Sequence, residues 1–204
     1  SNELAMTIYL KAKAHQKIVE SLLAVGDHER VLAYCQKVGY EPNYLDLFRK
    51  LVQVNPDTAV NFAIKLNENE STALDANMVV DVYVQMNMIK QATAFLLEIL
   101  KFDRPHEGQL QTRLLEINLL YSPVQVADSI LEQKMFHHFD KQKIANMCEK
   151  VGLHQRALEN YVDINDRKRV IVHTQYMNAE WLVNFFAELT LEDSLTLLRQ
   201  LMSS

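Results

Sequence analysis

The chain has 204 residues, 49% of them apolar, and only 4 Gly and 4 Pro. All-β sandwiches and barrels need Gly, Pro and Asn at many turns, so this scarcity argues against them, while the apolar fraction is typical of a chain that buries a core. Lys and Arg number 21 against 26 Asp and Glu, and the net charge of −5 argues against nonspecific nucleic-acid binding and against a polybasic membrane contact.

Capping residues divide the chain into about a dozen predicted helices joined by short turns. An Asn, Asp, Ser or Thr oxygen accepts from the first free N–H groups of a helix, and Pro fits the first helical position. Gly in the left-handed conformation closes a helix at its other end. The predicted starts are Asn43 with Asp46, Asn55-Pro56, Ser122-Pro123, Asp140, and Thr190 with Asp193, and the predicted ends include Gly39 and Gly152.

Three turns along the chain share one sequence frame. Residues 25–32 align with residues 151–158, and Asn87 fits the same frame at the glycine position, where Asn tolerates the left-handed conformation better than other residues. The turns at 26, 87 and 152 are 61 and 65 positions apart. At about 30 residues for a helical pair, each interval holds two pairs. We therefore predict an all-α fold of the α-solenoid class, a superhelix of short antiparallel helical pairs.

The sequence holds few candidates for catalysis or metal binding. The 4 Gly are too widely spaced for a GxGxxG motif, a P-loop or a GxSxG elbow. His137-His138 with Asp140 is a local cluster with metal-ligand chemistry, but adjacent histidines on a helix diverge by about 100°. We interpret these histidines as solvated or packed at a turn, and the shared repeat position of His28 and His154 favours turn packing as well. We predict no enzyme, no cofactor and no metal site.

The remaining chemical features are weak. Cys35 and Cys148 are 113 positions apart with no CxxC motif, so we expect two free, buried thiols in a reducing cytosolic setting. The basic cluster at 167–169 is flanked by acids and predicts a solvated helix face. Residues 67–77 are acidic and polar, consistent with either a loop or a frayed helix. No apolar stretch approaches the roughly 18 to 20 residues of a membrane span.

Several runs of the sequence resemble the leg of the clathrin heavy-chain family. Among them is Glu180-Trp181-Leu182-Val183-Asn184, and the similarity is collinear over nearly the whole chain. The other runs are residues 3–10, 104–116, 148–159, 172–174 and 192–195. We expect residues 1–204 to be a single α-solenoid fragment of a longer chain, and one interpretation of Ser1-Asn2 is a cloning remnant.

This resemblance implies a structural strut of the clathrin coat, part of a leg that assembles into polyhedral lattices on the cytoplasmic face of coated pits and vesicles. The implied partners are other heavy-chain legs, with light chains and adaptors binding elsewhere on the full chain. The membrane is then contacted only through adaptors, and the isolated fragment is expected to be monomeric. We hypothesise that lattice contacts use the loop that contains Asp103, Arg104, His106 and Glu107.

Two other functions are weighed against the strut. A helical-repeat adaptor of another vesicle-trafficking complex would bind a peptide in a concave face lined with aromatics or with one sign of charge. The sequence does not place such a face. An all-α enzyme is disfavoured because its expected motifs are missing.

Overall fold

A computed structural model describes residues 2–174 and 177–203, so that Ser1 of the possible cloning remnant lies outside the described residues. The described part of the chain forms thirteen α-helices and a 3-10 turn, Pro105–Glu107, and contains no strand. None of these helices combines the length and the apolar character that crossing a membrane requires. The helices are α1 (Asn2–Ala24), α2 (His28–Val38), α3 (Tyr44–Val54), α4 (Pro56–Asn67), α5 (Ala76–Gln85), α6 (Ile89–Ile99), α7 (Gly108–Tyr121), α8 (Val124–Glu132), α9 (Lys141–Lys150), α10 (His154–Asn160), α11 (Ile164–His173), α12 (Ala179–Glu188) and α13 (Leu191–Met202).

The chain divides into two compact units, Ser1–Ile99 and Leu100–Ser204. In the first unit α1 packs on α2, α3 on α4, and α6 on both α4 and α5. In the second, α7 packs on α8 and α9, α9 on α10, α10 on α11, and α11 on α13. Each helix packs mainly on helices close to it in sequence, which is the pairing of an α-solenoid. The predicted all-α class is confirmed.

Most of the predicted helix starts are confirmed by side-chain caps. Asn43, Asn55, Asp140 and Thr190 each accept a hydrogen bond from the N–H three residues later. The acidic residues 67–77 form the end of α4, a turn segment and the start of α5.

The helix expected directly after Ser122-Pro123 is confirmed as α8, Val124–Glu132, but Pro123 rather than Ser122 occupies its N-cap position. Ser122 donates its N–H to the Asn118 carbonyl and so closes α7. Pro123 has an extended backbone with ψ 132°, and α8 begins at Val124. α8 therefore begins without a side-chain cap.

The three repeat turns have one backbone geometry. Gly26, Asn87 and Gly152 have φ of 75°, 57° and 85°, in the left-handed region. In each case the next residue donates its N–H to a carbonyl five positions back, at 3.1, 2.8 and 2.8 Å. This hydrogen bond is the Schellman closure of a helix, so the predicted repeat frame is confirmed, including Asn87 in the glycine position.

Aromatic and aliphatic side chains form the core of each unit. In the first unit the rings of Phe48 and Tyr83 meet edge-on at 5.4 Å, and the Tyr83 hydroxyl donates to the Pro56 carbonyl at 3.0 Å. Cys35 and Cys148 are free and buried, as predicted. Burial is the main cause that raises the pKa of the Cys148 thiol to about 12, so this thiol stays protonated in the fold. In the second unit the largest fully buried side chains are Tyr161, Leu100, Leu114, Leu115, Ile144 and Leu158.

Candidate functional site

Asp103 joins the loop before α7 to the segment between α8 and α9. One carboxylate oxygen accepts from Gln111 Nε2 at 2.8 Å and from the His137 backbone N–H at 3.1 Å. The other oxygen lies 2.6 Å from His137 Nδ1. Partial burial tends to raise the pKa of Asp103, but the hydrogen bonds from His137 and Gln111 outweigh it and hold this pKa below its ordinary value. The Asp103 carboxylate is therefore engaged by groups of the same unit, Gln111 and His137.

Glu107 closes the same loop on itself. Its side chain is only 8% exposed, and Oε2 accepts from the Arg104 backbone N–H at 2.9 Å. Oε1 lies 3.4 Å from Arg104 Nη1. Because this carboxylate satisfies a backbone donor in a buried place, it stabilises the 3-10 turn rather than facing a partner.

The first turn of α7 holds the segment between α8 and α9 against the loop. The N–H of His138 donates to Gln111 Oε1 and the N–H of Asp140 donates to Thr112 Oγ1, both at 2.9 Å. A Cβ added to Gly108 would overlap with the backbone carbonyl oxygen of His138. Close backbone approach and side-chain hydrogen bonds thus fix the loop from two sides.

The outward surface of the loop is aromatic and basic. Phe102 is 64% exposed, and the charged groups of Lys101 and Arg104 lie 5.3 and 5.1 Å from the centre of its ring. His106 is also exposed. Of the four loop residues named from the sequence, Arg104 and His106 reach solvent, whereas Asp103 and Glu107 are engaged within the fold.

Sequence reasoning missed Phe102, Gln111, Thr112 and the role of His137. A large apolar residue within a polar loop was the signal that could have drawn attention to Phe102. The contacts of His137 had no such signal, because Asp103 is 34 positions away in the chain.

The histidines of the sequence have structural surroundings. His137 and His138 lie in the non-helical segment before α9. His28 and His154 begin α2 and α10, and each has a buried Nδ1, with the His28 ring edge-on to Phe62 at 6.3 Å. Over residues 2–174 and 177–203, His, Cys, Asp and Glu do not form a group of three that could hold a metal ion.

Two arginines of the second unit hold helices together. Arg169, in the basic cluster, donates to Glu149 at 2.8 Å and also contacts Asp166. Arg156 has a side chain that is 10% exposed and lies 2.7 Å from Asp128, 3.1 Å from Glu159 and 3.4 Å from Glu132. Hydrogen bonds to Asp128 and Glu159 outweigh the effect of burial, which would lower the pKa of Arg156, and they raise it. The charges of Arg156 and Arg169 thus form ion pairs that join neighbouring helices.

Comparison with known proteins gives a consistent result. A family model described as a region in clathrin and VPS matches residues 67–202. The chain is 46% identical over 201 residues to the clathrin heavy chain of Drosophila melanogaster and 43% identical over 201 residues to clathrin heavy chain 2 of Homo sapiens, covering 98% of this chain in both cases. It is 42% identical over 199 residues, or 97% of its length, to the clathrin heavy chain of Dictyostelium discoideum. The chain spans 12% of the length of each of these relatives.

Proposed function

The chain belongs to the clathrin family, and from this premise we propose that it is a segment of a heavy-chain leg that acts as a structural strut of the clathrin coat. The observation that carries the proposal is 46% identity to a clathrin heavy chain over 98% of the chain. Similarity of that extent covers both compact units, so it supports one function for the whole segment. We take residues 1–204 as a single α-solenoid segment.

The helical pairing suits a strut. Each helix buries its apolar side against its neighbours in sequence, and such stacks respond to load as stiff but elastic bodies. The role of the segment is mechanical and involves no catalysis. Contacts between legs are individually weak and act together, since multivalent contacts give a stable coat that can still be dismantled.

The proposed setting follows from the same premise. The segment works on the cytoplasmic face of coated pits and vesicles, and its partners are other heavy-chain legs. Light chains and adaptors bind elsewhere on the full chain, and the membrane is reached only through adaptors. The isolated segment is monomeric, because single leg contacts are too weak to hold two copies together.

A pair of leucine variants in the full-length heavy chain tests the strut. Leu158 on α10 is fully buried, whereas Leu120 on α7 is 60% exposed. Leu158→Asp places an unpaired charge in the core and should abolish regular cages in sedimentation and electron microscopy. Leu120→Asp makes the same chemical change on the surface and should leave cages intact. Normal cages from Leu158→Asp would contradict a mechanical role for this segment.

A further inference from the structure

The second unit, Leu100–Ser204, contains a cavity of about 300 Å³ between its helices. Phe136, Phe139 and Phe185 line it together with leucine and isoleucine side chains of α7 and α8, and charged side chains lie among them. Ligand pockets in proteins have volumes of about 300 to 1,000 Å³ and combine apolar walls with a few polar groups. The cavity is therefore at the small end of this range, where it suits a ligand of the size of one or two side chains.

Arg167 of α11 lines this cavity with a guanidinium that the fold leaves without an acceptor. Its Cζ lies 5.8 Å from the centre of the Phe185 ring, and its Nε is buried. Within residues 2–174 and 177–203 this Nε has no hydrogen-bond partner and the guanidinium forms no ion pair. Arg156 and Arg169, by contrast, are each paired with carboxylates. Because a buried donor without an acceptor costs free energy of folding, the state of Arg167 is explained best by an acidic group that arrives from outside the chain.

The other unpaired charges of the cavity are also mostly positive. Lys134 and Lys141 line it, and neither lysine forms an ion pair with the part of the chain that the structure describes. Of the two lining carboxylates, Glu159 lies 3.1 Å from an arginine of its own helix. The exposed Glu188 is left as the one lining carboxylate without an ion pair among the described residues. Three unpaired cations against one unpaired acid favour a ligand that carries negative charge.

One wall of the cavity is held by hydrogen bonds within the fold. This wall is the segment between α8 and α9, which contributes Lys134, Phe136, His137 and Phe139 to the lining. The backbone N–H groups of residues 137, 138 and 140 donate to the side chains of Asp103, Gln111 and Thr112 at 2.9 to 3.1 Å. A wall that is already ordered loses little conformational entropy when a ligand binds.

We propose that the cavity beside Arg167 binds a short acidic peptide of a partner protein. The peptide inserts one large apolar side chain against the Phe185 ring and places a neighbouring carboxylate on the Arg167 guanidinium, where charge-assisted hydrogen bonds are strong. A volume of about 300 Å³ suits a protruding side chain rather than the folded surface of a second copy of this chain. This site goes beyond the strut function and does not rest on it.

The fluorescence of Trp181 reports whether the cavity is occupied. Trp181 is the only tryptophan of the chain, and its ring stacks on that of Phe185 with the ring centres 5.4 Å apart. The probe is a short peptide, blocked at both ends, that carries one Phe between two Asp residues. A second peptide has Asn in place of both Asp residues, and a third has Ser in place of Phe. Isothermal titration calorimetry measures the same binding independently.

Each peptide is titrated into the 204-residue chain and into two variants of it. Arg167→Gln removes the unpaired guanidinium. Lys168→Gln is the matched control, because Lys168 is the next residue of α11 and carries the same charge but does not line the cavity. Circular dichroism melts verify that each variant is folded.

Arg167→Gln should raise the Kd of the acidic peptide by about tenfold, the effect of losing one charge-assisted contact, and Lys168→Gln should leave it unchanged. The Asn peptide should bind wild type about tenfold more weakly than the acidic peptide does. It should not distinguish wild type from Arg167→Gln, because the ion pair is then already lost from the ligand side. The Ser peptide should bind weakly to all three proteins, since it buries no large apolar side chain.

Several results would overturn this site. One is an acidic peptide that changes neither the Trp181 fluorescence nor the heat of titration, and another is equal binding to wild type and Arg167→Gln. An equal response to inorganic phosphate at the same concentration would show a site for any anion rather than for a peptide. A wild-type chain that dimerises in sedimentation, with a folded Arg167→Gln that stays monomeric, would make a second copy the occupant. If Arg167→Gln does not fold, equal binding of the acidic and Asn peptides to wild type overturns the site by itself.

Discussion

Replacing Gly108 with Ala tests the close backbone contact that holds the candidate loop in place. Gly108 is the first residue of α7, where Ala would be favoured over Gly by up to about 1 kcal/mol of helix propensity. The added Cβ, however, would overlap with the His138 carbonyl oxygen, which is backbone and cannot rotate away. Forcing an extra carbon into a packed site costs about 1 to 3 kcal/mol. The steric cost should win, with a net loss of about 1 to 2 kcal/mol.

The segment that would have to move is itself anchored. His138 and Asp140 donate their N–H groups to Gln111 and Thr112 at 2.9 Å, so a shift away from Gly108 would stretch both hydrogen bonds. Gly108→Ala should therefore lower the melting midpoint by about 2 to 8 °C for a chain of this size. Amide hydrogen exchange at His138 and Asp140 should be faster in the variant than in wild type.

Leu191→Ala is the control for this experiment. Leu191 is also the first residue of a helix, α13, but it is 77% exposed, so its replacement should change stability by less than about 0.5 kcal/mol. A Gly108→Ala protein as stable as wild type, with unchanged exchange at His138 and Asp140, would refute the proposed packing of the loop.

Three further predictions concern single side chains. Asn87→Ala should destabilise the chain by about 1 kcal/mol in urea denaturation, and Asn87→Gly should not, because φ at this position is 57°; equal stability of both variants would contradict the turn geometry. Arg156→Ala should lower the free energy of unfolding by about 2 kcal/mol or more in the same assay, because three carboxylates lose a cation that is only 10% exposed. A decrease below about 0.5 kcal/mol would show that water replaces the guanidinium. The pKa of Asp103 is lower in the fold than its ordinary value, so its stabilising effect should be present above about pH 4 and lost as the pH falls through the folded pKa. Asp103→Asn should accordingly be less stable than wild type at pH 7 and should approach it on acidification in melts over a pH series, and a constant difference would argue against the Asp103–His137 pair.

The features that could be predicted from the sequence are those that depend on residues close together in the chain. The left-handed turn at Asn87 could be inferred because a repeated frame placed Asn where two other turns have Gly, and the structure has φ 57° there. The cap at Asn55 could be inferred because Pro56 fits the first helical position. The helix after Ser122-Pro123 also starts at Val124 as expected, although Pro123 rather than Ser122 is its N-cap residue. Local rules thus located most helix ends, and the solenoid class followed from them.

The candidate site depended on contacts that no local rule could provide. The acids at 103 and 107 look like surface charges in a loop, and the sequence placed both among the predicted lattice contacts. The role of Asp103 is decided by Gln111 and by His137, and His137 is 34 positions away in the chain. Glu107 is different, because it accepts from the N–H of Arg104 only three residues before it and caps the 3-10 turn. Tertiary packing thus decided the contacts of Asp103, whereas the contact of Glu107 is local.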